Sequence, residues 1–68
     1  MADWRVAAEG VEVLERPFLL LEVARREDGK WWWIVLRSRS RVVLDSGTCG
    51  TAEEAKRLAE KAATRFLE

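Results

Sequence analysis

The chain has 68 residues, 12 Lys/Arg against 12 Asp/Glu, no His, one Cys and four Trp. That is one small domain with a thin core, and its zero net charge is unlike the strongly basic domains that nucleic-acid phosphates hold. Lacking His, and with Cys49 as its lone thiol, it has neither an ordinary zinc ligand set nor a partner for an internal disulfide.

At 49% apolar and 35% charged the composition is globular. No apolar run approaches the roughly 20 residues of a membrane span, and the N-terminus lacks the basic-then-apolar layout of a signal peptide. With one free thiol, these features give the expectation of a cytoplasmic protein that engages no membrane.

Residues 1–17 are expected to form an N-terminal arm or an edge strand. Val11, Glu12 and Val13 alternate, which suits a short strand over Val11–Leu14, and Gly10 and Pro17 punctuate it. The pattern sharpens over residues 18–46. Phe18–Arg25 is a compact apolar run, and Trp31–Arg37 is aromatic and β-branched. Asp28-Gly29 between them is a hairpin signal, because Gly takes the positive φ of a tight turn. A second turn at Ser38–Ser40 leads to a third strand over Arg41–Ser46, and Gly47–Gly50 is expected to end it.

Residues 51–67 read as a helix. Thr51 and Glu54 stand at capping-box spacing, Glu53 and Glu54 suit the positive end of the dipole, and Arg65 suits the other end. Ala55, Leu58, Ala59, Ala62 and Phe66 make one apolar stripe. A lone meander cannot stand in water, so the helix should lie across one face. The expected fold is α+β: an antiparallel meander of three strands, or four if the N-terminal segment joins, with a C-terminal helix on one face, residues 1–68 being a single domain.

Chemistry is scarce. Without His, the general-base options are few. Cys49 in its Gly-flanked loop reads as a small residue in a tight turn, and Glu53/Glu54 as first-turn acids. No catalytic residue, cofactor or metal site is expected, and the chain reads as a non-enzyme. The notable feature is Trp31-Trp32-Trp33, since alternation places Trp31 and Trp33 opposite Trp32. Both faces of this strand are apolar while one helix covers one face. Trp31 and Trp33 are therefore expected on the open face, either covered there by the N-terminal arm with Trp4 or exposed as an aromatic platform of the kind that anchors protein contacts. Basic residues flank it: six (Arg25, Arg26, Lys30, Arg37, Arg39, Arg41) against Glu27 and Asp28 over residues 25–41. The expected contact set is Trp31, Trp33, Arg37, Arg39, Arg41, Arg26 and Lys30.

Gly29-Lys30-Trp31, the following strand, Arg41–Leu44 and Gly47-Thr48 leading into Thr51–Ala55 resemble the plant ethylene-response-factor (APETALA-type) DNA-binding domain and the integrase N-terminal domains of the same three-strand-plus-helix fold. The resemblance covers roughly residues 23–66 and implies a sheet laid in a DNA groove, with Arg26 and Trp31 at contact positions. The family's polar second-strand positions fall here on Ile34 and Leu36, which cannot hydrogen-bond a base edge. Ser46–Leu67 also resembles the C-terminal half of double-stranded-RNA-binding domains, with Glu53 and Glu54 where that family places phosphate-clamping lysines. The sequence thus reads foremost as a protein-binding module, in size and style like a phage or mobile-element accessory protein or an inhibitor of a host system. A sheet-based DNA- or RNA-binding module is the alternative, and a homodimer through the uncovered face is a third use of the same surface.

Overall fold

A computed structural model describes residues 4–66. Five strands form one antiparallel sheet in sequence order: β1 (Arg5–Ala8), β2 (Val11–Arg16), β3 (Leu19–Arg25), β4 (Trp31–Arg37) and β5 (Val43–Cys49). Helix α1 (Ala52–Ala63) follows, and a 3-10 turn (Thr64–Phe66) extends it. The α+β class and the single covering helix are as expected, and the strand count is not. Residues 1–17 supply two strands, with β1 at the edge and β2 inside it. β1 reads poorly in sequence because Arg5-Val-Ala-Ala8 has little alternation, is exposed throughout and shifts register against β2 between Val6 and Ala8. The expected helix end at residue 67 lies outside the described residues.

The β3–β4 connection is the expected hairpin. Gly29 has φ 85°, the Gly29 amide donates to the Arg26 carbonyl at 3.1 Å, and the Lys30 amide donates to the Asp28 carboxylate at 3.0 Å. β5 both starts and ends later than the expected Arg41–Ser46, because Arg41 takes a positive φ of 62° in the turn and the strand begins at Val43. Gly47, Thr48 and Cys49 continue the strand, opposite Trp33, Trp32 and Trp31. Gly47 is no strand breaker because the Trp33 indole lies across its α-carbon. A Cβ there would stand 2.8 Å from Trp33 Nε1 and 2.9 Å from Cε2, so only a residue without a side chain lets the ring lie flat. Nearer the turn, pairing shifts between Val35 and Leu36, and the residue skipped, Leu44, packs against the core.

The core lies between the sheet and α1. Cross-strand rows Leu14–Leu21–Val35 and Val23–Trp33–Gly47 present Leu14, Leu21, Val23 and Val35 to the helix with almost no exposure. Against them pack Ala55, Ala59, Ala62 and Ala63. Their small side chains let the helix axis settle close to the sheet, where the larger strand residues fill the space. Leu58 and Phe66, from the same stripe, are half-buried at its margin. Thr51 caps the helix, its hydroxyl accepting from the Glu54 amide at 3.1 Å.

Candidate functional site

The helix covers the odd-numbered side chains of β3 and β4, and this fixes what the other face presents. Cross-strand rows on the open face are Val11–Ala24–Trp32–Thr48, Val13–Glu22–Ile34–Ser46 and Glu15–Leu20–Leu36–Val43. Trp32 is 36% exposed and Trp33 8%. The expected platform is thereby reversed: Trp33 is core, Trp31 is half-buried against it, and Trp32 is the indole on the open face. The cause is register. Leu19, Leu21 and Val23 are the most deeply buried run of β3, and Val23 pairs with Trp33, so Trp33 follows Val23 under the helix. Gly47 on the next strand leaves room for it. Alternation alone could not choose, since both faces of β4 are apolar.

At one edge of this face, Arg5 and Glu15 form an exposed ion pair at 3.2 Å. Glu22 stands half-buried between Val13 and Ile34 and makes no ion pair among the described residues.

The basic residues do not form one patch. Arg37, Arg39 and Arg41 lie at the β4–β5 turn, whereas Arg26 and Lys30 lie at the β3–β4 turn. The seven residues of β4, roughly 20 Å of strand, separate the two groups. Arg26 pairs with Asp28 at 3.4 Å. The Lys30 amide bond to Asp28 holds that carboxyl below its ordinary range, with Arg26 and Lys30 adding charge attraction and partial desolvation opposing them. This end is therefore partly charge-compensated, although Arg25 and Lys30 make no ion pair among the described residues. Its opposite has no such pairing: Arg37, Arg39 and Arg41, joined there by Arg16 at the end of β2, make no ion pair among the described residues.

One cluster escaped sequence reasoning. The Trp4 indole N–H donates to Glu60 Oε2 at 2.6 Å. Lys56 places its ammonium 5.9 Å from the centre of the Trp4 ring and pairs with Glu12 at 2.8 Å. Its spacing of 56 residues leaves no local signal. Trp4 packs on the helix side, so the open face is left without it. Every polar group in this cluster is answered by another, which makes it a fastening between β1, β2 and α1. Cys49 is half-buried, its thiol donating to the Thr51 carbonyl at 3.4 Å. Among the described residues no three metal-binding side chains come together, and no helix is long and apolar enough to cross a membrane.

No family model matches the chain, and comparison with curated proteins and with solved structures likewise gives no match.

Proposed function

We propose that the chain is a non-enzymatic protein-binding module, of the phage or mobile-element accessory type, and that its contact surface is the open sheet face around Trp32 and Ile34. The observation that carries this reading is the contiguity of Val13, Leu20, Ala24, Trp32 and Ile34 on adjacent strands of the face that α1 leaves uncovered. Water meets an apolar surface there, and the surface is built on rigid strands and centred on an indole. These are features of an interaction hot spot. A nucleic acid laid on the same face would meet Ile34 and the Glu22 carboxylate, which offer no donor to a base edge or a phosphate. A second copy related by a two-fold axis would bring two uncompensated Glu22 side chains into one dry interface, which is costly. A foreign protein with apolar side chains and one cation set against Glu22 fits better.

Affinity capture tests this reading. Wild-type bait should retain a host protein in stoichiometric amount, and a Trp32→Ser/Ile34→Ser bait with a native circular-dichroism spectrum should lose it. Equal retention by both baits would move the contact surface elsewhere. Dimerisation of the purified protein that the same double variant abolishes would replace the foreign partner with a second copy.

A further inference from the structure

We propose that the end of the molecule formed by the β2–β3 and β4–β5 turns is a second binding site, which takes single-stranded nucleic acid by stacking a base on Phe18 and holding phosphates with Arg37, Arg39 and Arg41. The backbone first draws attention to this end. Four described residues have positive φ. At the β1–β2 and β3–β4 turns they are Gly10 and Gly29, which adopt it freely. At this end they are Phe18 (φ 70°) and Arg41 (φ 62°), side chains for which the left-handed region is unfavourable. Pro17 followed by positive φ has the pattern of a type II turn, whose second corner ordinarily takes Gly. A phenyl ring there is strained and also 73% exposed, so it contributes little to the core.

The surroundings give that ring a use. The Ser38 amide donates to the Phe18 carbonyl at 3.1 Å, which ties the two turns together. Between them lies an open cleft of about 240 Å³ walled by Phe18 and by residues 37–40. That is smaller than the roughly 300–1,000 Å³ that holds a drug-sized molecule, and it suits one flat ring system. The turn from Arg37 to Arg41 is bound across its neck by the Arg37 amide to the Val42 carbonyl (2.9 Å) and the Arg41 amide to the Arg37 carbonyl (2.9 Å). Arg37 and Arg39 line the cleft itself, and Arg41, at the foot of the same closed loop, lines the adjoining hollow with Arg16 and Leu20. Neither 16–21 nor 29–44 contains an Asp or Glu, and the adjoining Glu15 is taken by Arg5.

A flat apolar ring beside unpaired arginines is the combination that binds single strands, where bases stack and phosphates are neutralised. A duplex hides its base faces and offers the ring nothing. A lipid surface would want the apolar group as a free wedge, whereas Phe18 forms the wall of a cleft.

Fluorescence anisotropy of a labelled oligo(dT) tests the site. Wild-type protein should bind at low salt, with log affinity falling against log salt at about 0.7 per phosphate held. Arg37→Ala/Arg39→Ala/Arg41→Ala should weaken binding about ten-fold or more and flatten that slope. Phe18→Gly should weaken binding about five-fold or more, as loss of one stacked base does, while keeping the slope and melting at or above the wild-type midpoint. That last readout separates a lost ring from a lost fold. Arg26→Ala/Lys30→Ala at the far end should bind as wild type. So should Trp32→Ser, so the site stands or falls independently of the open sheet face. Absence of oligo(dT) binding, full-strength binding by Phe18→Gly, equal competition by poly-glutamate, or binding to phosphatidylserine vesicles in its place would each overturn the proposal.

Discussion

A methyl group at Gly47 would stand 2.8–2.9 Å from three atoms of the Trp33 indole, closer than carbon approaches carbon or nitrogen. Gly47→Ala should therefore destabilise the protein by about 1–3 kcal/mol, the usual cost of overpacking. The loss should shrink when Trp33 is shortened to Leu in the same chain, because the clash goes with the ring. Denaturant melts of the two single variants and the double variant check this coupling, and additive losses would contradict it. Asp28 gives a pH-dependent counterpart. Its folded pKa is lowered, chiefly by the Lys30 amide, so its contribution is present above the ordinary carboxylate range and is lost as pH falls through the folded value. Asp28→Asn keeps an acceptor for that amide but gives up the charge facing Arg26. Wild type should be the more stable of the two at neutral pH, and the difference should vanish in acid, as thermal melts across the acid limb would show.

At the level of elements, the helix was the most legible part of the chain, because its signals are local. Thr51 accepts from the Glu54 amide at the spacing the sequence displays. Thr51→Ala should cost about 1 kcal/mol. Leu58→Ala should cost about 2 kcal/mol, the low end for a truncated core leucine, because Leu58 is only half-buried. Urea midpoints of the two variants test that order. Strands β3, β4 and β5 were legible for the same reason, through their apolar runs and Asp28-Gly29. What sequence could not supply was the face. Trp31, Trp32 and Trp33 suit either side of a sheet equally, and the choice depends on Val23 opposite Trp33 and on Gly47 beyond it, partners remote in sequence. β1 was missed because its four residues carry no alternation, and Trp4 because its partner is Glu60. The basic members of the expected contact set stand in two groups because a strand between them turns closeness in sequence into distance in space. Arg26 and Lys30 precede β4, while Arg37 ends it and Arg39 and Arg41 follow.

Across the whole molecule, each strand pairs only with its neighbours in sequence, and α1 packs on the middle and last strands, β3, β4 and β5. Such local topology favours fast folding, but it leaves β1 supported by a single strand. Among the described residues, Trp4 tethers that end of the chain to the helix, through its bond to Glu60 and its place beside Lys56. An edge strand that peels away uncovers the pairing groups of the strand behind it, here β2 with Val11 and Val13, and an uncovered edge recruits strands from other molecules. Trp4→Ala should therefore speed amide hydrogen exchange in β1 and along the outer edge of β2 while leaving β4 protected. The variant should also associate as its concentration rises, visible as growth in light scattering over hours. On this view the first tryptophan is a sentry against fibre formation, and its value to the protein shows most clearly in crowded or prolonged storage, where a brief opening of the sheet's edge is long enough to be met by another chain.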